Sequence, residues 1–336
     1  MLGKTILDRL GLLRPITRHK IGWRLLLVVG MGFSSCNPIE PSGPARPDLT
    51  GRKAVIVATT TLAADLVRQV GGDHVEVLSL MPPNVDPHQY KASSGDVRKL
   101  QRADLIVYHG LHLEGRMADL LSDLQKRLRV VELAAKIPED QLLRTLDSSE
   151  GVFDPHIWFD VRLWARTIDG VRDALIDRDP THRDDYEKRA AAYRRELESL
   201  DAEIRTQVAV IPPEKRVLIT AHDAFRYFGR AYGFEVRGLQ GVSTVTEPGL
   251  NDVQELARFI AERRIPAIFA ETSIPDRNLL AVQQAVQRTH GFHVRFCSEK
   301  LYSDSLGAPD SQAGTYVGMV RHNVATIVSA LAPGTP

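Results

Sequence analysis

The sequence predicts an α/β protein built as two similar lobes, each a mostly parallel sheet flanked by helices, joined by one helix. Three observations predict it. Short β-rich runs alternate with helical stretches from about residue 53 to residue 135, a pattern that places helices on both faces of a parallel sheet. Residues 160–210 then carry no strand signal and read as long helix, and from about residue 216 the alternation resumes. The chain of 336 residues, 43% hydrophobic and 25% charged, is long enough for two domains of roughly 100–200 residues and excludes disorder or a collagen-like repeat. Aromatic residues make up 6% of it and the net charge is +1, which argues against a nucleic-acid partner.

That charge is unevenly spread. Residues 1–35 hold six basic side chains (Lys4, Arg9, Arg14, Arg18, Lys20, Arg24) against Asp8, a net of +5, so the remainder carries −4. After the basic stretch, WRLLLVVGMGF (23–33) is apolar over one signal-peptide core length, too short for the ~20 residues a transmembrane helix needs. The small residues Ser34 and Ser35 and then Cys36 follow, so FSSC is similar to a lipobox with Cys36 as the first mature, lipidated residue. Residues 1–35 are therefore expected to be an export signal, and residues 36–52, opening with NPIEPSGPARPDLTG, a flexible tether. With Cys36 committed to lipid, Cys297 stands alone, leaving neither a disulfide nor a thiolate zinc site; any metal chemistry falls to histidines and carboxylates.

The N-terminal lobe is expected over 53–180. Its strands are AVIVATT, VEVLSLM, DLIVYHG and RVVELAA, and its helices are LAADLVRQVGG, SSGDVRKLQRA and EGRMADLLSDLQKRL, followed by DVRLWARTIDGVRDALIDRD. Past Pro180, residues 181–210 form the bridging helix, dense in Arg, Glu and Asp at three- and four-residue spacings as suits a solvent-exposed helix laced by ion pairs. The C-terminal lobe, 211–333, has strands RVLITA, EVRGLQG, PAIFAET and HVRFCS, and helices DAFRYFGRAYG, NDVQELARFIAERR, DRNLLAVQQAVQRT and TYVGMVRHNVATIVSAL.

Ligands of open α/β sheets bind outside the carboxyl ends of the strands. Four segments near such ends offer metal donors: NVDPHQYKASSGD with His88, FDPHIWFD with His156, ITAHDAFRYF with His222, and KLYSDSLG with Asp304. Each DPH tripeptide sets an imidazole after a proline that fixes φ, beside an aspartate able to bond loop amides or the ring N–H, and two residues before an aromatic (Tyr90, Trp158) able to shield the site. Three imidazoles and a carboxylate suit Zn2+, Mn2+ or Fe2+ and are too nitrogen-rich for Mg2+ or Ca2+. Two donors precede the bridging helix and two follow it. His109 and His112, in YHGLHLEG, are read as a loop near the cleft mouth. Glu271, closing the strand in FAETS, is expected to act as a salt-bridge partner to the site rather than as a ligand. Trp158 and the aromatics of FRYFGRAY are read as core.

The chain resembles the substrate-binding proteins of bacterial zinc/manganese ABC importers, the cluster A-I group whose lobes are joined by one rigid helix, and within it the TroA type. The resemblance runs over about 54–331 and is carried by VATTTLAADLVRQVGGDHVEV, DPHQY, ADLIVYHGLHLEGRM, FDPHIWFDVRLW, RVLITAHDAFRYFGRAYGFEVRGLQGVST, PAIFAETSIP, LYSDSLG and GTYVGMVRHNVATIV. It implies a metal site in the interlobe cleft with His88, His156, His222 and Asp304 as ligands. It also implies one ion of Zn2+ or Mn2+ as cargo, Fe2+ being less favoured, and delivery to an ABC permease and its ATPase. The protein would be a monomer, exported to the periplasm or cell surface and anchored in the membrane by its lipid.

Zinc-dedicated relatives often carry a long loop rich in His and acids, whereas here the remaining histidines are scattered; manganese-dedicated relatives often have Glu at the third ligand, where this chain has His222. The sequence thus lies between the two specialities. Because imidazoles bind only when neutral, affinity should fall as pH drops through about 6.5. Two other readings use the same residues: a zinc-dependent hydrolase, and a metal-stabilised surface adhesin. The hydrolase is disfavoured because catalytic zinc keeps an open water position and no HExxH-like base adjoins a ligand. GxGxxG, GxSxG and P-loop patterns are absent, so neither nucleotide binding nor serine hydrolysis has support.

Overall fold

The computed structural model describes residues 48–145 and 153–333. The expected export signal, Cys36 and the tether as far as residue 47 lie outside the described residues. Within them the chain forms two four-stranded sheets, both wholly parallel.

The first sheet is built from β1 (Ala54–Ala58), β2 (Val75–Ser79), β3 (Leu105–Tyr108) and β4 (Val130–Glu132), in the order β2-β1-β3-β4. The central β1 reads AVIVA, the continuous apolar run of a strand covered on both faces. Helices α1 (Thr61–Gly71), α2 (Ser94–Gln101) and α3 (Ala118–Gln125) lie between the strands. Local chemistry starts them: Thr60 Oγ1 accepts the Ala63 N–H, and Ser93 and Asp96 form a reciprocal capping box on α2. Two long helices follow, α4 (Val161–Arg178), capped by Asp160, and α5 (Arg183–Val208). At ~1.5 Å per residue the 26-residue α5 runs ~39 Å.

The second sheet repeats the first. Strands β5 (Val217–His222), β6 (Glu235–Gln240), β7 (Ala267–Glu271) and β8 (Arg295–Leu301) lie in the order β6-β5-β7-β8, accompanied by α6 (Arg226–Tyr232), α7 (Leu250–Arg263), α8 (Arg277–His290) and α9 (Tyr316–Leu331). Strand β8 runs three residues past the expected HVRFCS stretch, to Leu301. At the other end of the sheet Gly238 of β6 lies so close to β5 that a Cβ there would stand 2.3 Å from the Asp223 nitrogen, next to His222.

Helix α5 is the long helix expected between the lobes, but it is not solvent-exposed all round. The ion pairs are present, Arg205–Asp201 and Arg183–Glu187 among them. Yet Tyr186, Ala190, Tyr193, Leu197, Leu200, Ile204 and Val208 recur every three or four positions and form a buried stripe that packs against α4, α1 and α9. The largest apolar core is continuous from Ile56 and Leu66 through Trp158 and Trp164 to Phe225, Phe269 and Tyr316, so both sheets share it. In each sheet the first strand lies between the second and the third. The strand order therefore reverses between β1 and β3 and between β5 and β7, the position at which α/β sheets bind ligands.

Candidate metal centre

His222 is the last residue of β5 and Glu271 the last of β7, so both stand at the reversal point of the second sheet. Glu271 grips His222 twice: Oε1 accepts its backbone N–H (2.9 Å) and Oε2 pairs with ring Nδ1 (2.6 Å). A proton on Nδ1 leaves the Nε2 lone pair facing away from Glu271. Asp154 does the same for His156, its Oδ1 accepting the backbone N–H at 3.0 Å and meeting Nδ1 at 2.8 Å. His88 follows β2 in the other DPH turn, where Asp86 Oδ1 accepts its backbone N–H at 2.9 Å. Asp304 follows β8, and its Oδ2 accepts a hydrogen bond from the Ser273 hydroxyl (3.1 Å).

These arrangements aim four atoms at one point. His156 Nε2 stands 3.3 Å from both His88 Nε2 and His222 Nε2, and Asp304 Oδ1 stands 3.4 Å from the Nε2 atoms of His156 and His222. All four donors lie within 4.8 Å of one another, and all four residues are buried. Around a metal with bonds of about 2.0–2.1 Å, tetrahedral donors stand about 3.3–3.4 Å apart, so four of the six edges already have that length. Asp304 Oδ1 is buried without a hydrogen-bond donor, a cost that a cation at the centre would remove. Among the described residues this is the one group of three or more such side chains whose donor atoms converge.

The electrostatics match. Burial opposes charge on His222, but Glu271 and Asp304 outweigh it and hold the imidazole well above its usual value. Burial likewise opposes charge on His156, outweighed by Asp154 and Asp304. Burial would raise Asp304, yet the two imidazoles hold it well below the carboxylate range. His88, with no carboxylate on its ring, is pushed by burial down to about 3. Three carboxylates, Asp154, Glu271 and Asp304, thus stand against the imidazoles of His156 and His222 and favour positive charge there.

The structure brings His88, His156, His222 and Asp304 together and puts Glu271 behind His222. Trp158 shields the centre, its ring edge-on to His156 at 5.1 Å and its Nε1–H donating to Ser303 O at 2.8 Å beside Asp304. Tyr90 does not: its hydroxyl donates to Asp96, in the capping box of α2. His109 is not at a cleft mouth either. It is fully buried behind the ligand turn, where Nε2–H donates to Pro155 O at 2.7 Å and the ring packs edge-on against Trp158. Its loop is strained: Gly110, Leu111 and His112 all have positive φ, and a Cβ on Gly110 would stand 2.2 Å from Glu132 Oε1. Only His112 of the pair reaches the cavity that borders His88. Ser273 carried no signal in the sequence, since its role depends on β7 and β8 lying side by side. A larger cavity, about 980 Å3 between β8 and α9, contains none of the four donors.

Comparison with known proteins places the chain in a family and supports the fold. The family profile described as ZnuA, zinc-uptake complex component A, periplasmic, matches residues 56–330. The zinc-binding protein TroA of Treponema pallidum is 48% identical over 280 residues, covering 83% of this chain and 89% of TroA. A solved structure of the periplasmic zinc-binding protein TroA from that organism superimposes with a TM-score of 0.80 at 47% identity, covering 83% of this chain and 99% of that one. The manganese-binding lipoprotein MntA of Bacillus subtilis is 44% identical over 277 residues, 82% of this chain and 89% of MntA. The metal ABC transporter substrate-binding lipoprotein SsaB of Streptococcus sanguinis is 27% identical over 317 residues, 93% and 99% of the respective chains.

Proposed function

The chain belongs to the family of periplasmic zinc-uptake component A proteins, and we propose on that premise that it captures one divalent transition-metal ion, Zn2+ or Mn2+, outside the cytoplasm and delivers it to an ABC permease for import. The observation that carries this reading is the convergence of three imidazole nitrogens and one carboxylate oxygen, all buried, at tetrahedral spacing. We assign His88, His156, His222 and Asp304 as the ligands and Glu271 as the residue that fixes the His222 tautomer. Two ligands come from the half ahead of α5 and two from the half beyond it, so the ion itself links the lobes, read as 53–180 and 211–333 about the helix 181–210. In the same reading Cys36 carries a lipid anchor, as the lipoprotein names of relatives support, and the protein acts as a monomer beside its permease and ATPase.

Solute binding for import is not an enzymatic role. Four protein donors around one point leave no position for the water that a zinc hydrolase activates, and no observation favours an adhesin. Because N/O sites bind Zn2+ more tightly than Mn2+ in general, the ion carried in the cell is set by supply and by the permease as well as by these donors. Calorimetry on the purified chain tests the assignment. One equivalent of Zn2+ should bind, and His156→Ala should weaken it by more than the ~10–100-fold typical of losing an outer partner. Unchanged affinity in that variant would show that the ion sits elsewhere. Elemental analysis of protein from its own host identifies the cargo.

A further inference from the structure

Three of the four donors are braced from inside the protein, His156 by Asp154, His222 by Glu271 and Asp304 by Ser273, and their exposure is 0–1%. His88 differs. Its ring has no carboxylate partner, and it alone of the four lines a cavity of about 700 Å3 whose other walls include His112, Asp223 and residues between Leu239 and Pro248. His88 is thus the one donor of the four that borders this cavity.

The segment carrying His88 is tied to the C-terminal half at both ends. Asn84, in left-handed backbone at φ +62, donates its N–H to Ser305 Oγ at 2.8 Å. Asp86 divides its carboxylate: Oδ1 accepts the His88 N–H at 2.9 Å, while Oδ2 accepts the Thr244 hydroxyl at 2.5 Å. The Gln89 amide donates to Thr244 O at 3.1 Å and to Asp86 Oδ2 at 3.2 Å. The same amide also reaches Thr244 Oγ1 at 3.4 Å, so one threonine, 1% exposed and outside the donor set, takes part in three of the four hydrogen bonds that tie residues 84–89 to the C-terminal half.

We propose that Thr244 is a positioning residue for the captured ion: through Asp86 it holds the His88 segment closed over the centre, and opening of this tie sets how fast the ion leaves. When the tie opens, residues 84–89 move with His88 while the other three donors stay braced, and a three-donor site holds its ion less tightly. The inference rests on the ligand assignment made above.

The test uses the purified full chain loaded with Zn2+ and mixed rapidly with excess chelator, release being followed by chelator absorbance and by emission of Trp158, which touches His156. Thr244→Val keeps the shape and loses the hydroxyl; it should release Zn2+ about tenfold faster, since a hydrogen bond to a carboxylate is lost. Thr244→Ser keeps the hydroxyl and should release within twofold of the parent, a rescue that a packing role would not give. Gln89→Ala, at a partly exposed position, removes the second tie without touching the core and should speed release about threefold, which decides the matter if Thr244→Val does not fold. Release from Thr244→Val, or failing that from Gln89→Ala, within twofold of the parent overturns the inference while metal binding stands. A parent chain that binds no Zn2+ overturns instead the reading on which it rests.

Discussion

Glu271 meets the four converging donors only through His222, yet under the proposed assignment its removal should be felt at the metal. Its two oxygens accept two donors of the same residue, the backbone N–H and the ring Nδ1. Glu271→Gln offers one acceptor oxygen and turns an NH2 group toward the other donor, so the tautomer is no longer enforced and the imidazole loses basicity. Zn2+ affinity should drop ~10–100-fold in a competition titration with one equivalent still bound. No change in affinity would mean that Glu271 is packing and nothing more. The donors themselves were legible because each sits in a local frame that the sequence spells out: a proline-fixed turn for His88 and His156, a strand end for His222, a loop after the last strand for Asp304. The place of His109 is not legible in the sequence, for the opposite reason. HGLH has the composition of a surface loop, and only the packing of Trp158 and Trp164, some fifty residues further on, buries its first histidine and gives Nε2 a carbonyl to bond.

Among the elements, α5 separates two kinds of side chain on one cylinder. Leu200 is 1% exposed within the stripe that meets α4, α1 and α9, whereas Arg183 pairs with Glu187 in solvent. Leu200→Ala should cost ~2–5 kcal/mol through lost transfer and a cavity. Arg183→Ala should stay within ~0.5 kcal/mol, as exposed i,i+4 pairs do. Urea unfolding of both variants checks this, and equal losses would contradict the packing described. The stripe is present in the sequence as a three- and four-residue apolar rhythm from Tyr186 to Val208, but Arg, Glu and Asp outnumber it and hide the buried face. Strand β8 shows the same limit. Its last residues, SEKL, carry charges because β8 is the edge of the sheet, and alternation at an edge reads as loop.

At the scale of the whole molecule, the repeat of two α/β sheets suggested two lobes, and the sequence held no sign that they share one apolar core. That core is assembled from residues far apart in the chain. Phe159 stacks on Phe225 with centroids 4.1 Å apart, Trp164 on Tyr316 at 5.5 Å, and Asp65 of α1 accepts the N–H that opens α9 at 3.0 Å. Separating the halves would expose these aromatics and strand buried polar groups such as Asp65, so neither half keeps its fold when the other melts. The metal-free chain should therefore unfold in one calorimetric transition, with calorimetric and van't Hoff enthalpies in agreement. Ligand linkage then fixes the effect of the ion. At a free Zn2+ concentration 100 times Kd the folded state gains ~2.7 kcal/mol, which for a chain of this size raises the midpoint by a few degrees, and a chelator reverses the shift. If the ion is held from both halves as proposed, the whole transition should move. Two resolved transitions, with only one of them responding to Zn2+, would show that the shared core does not couple the halves and that the ion belongs to one of them.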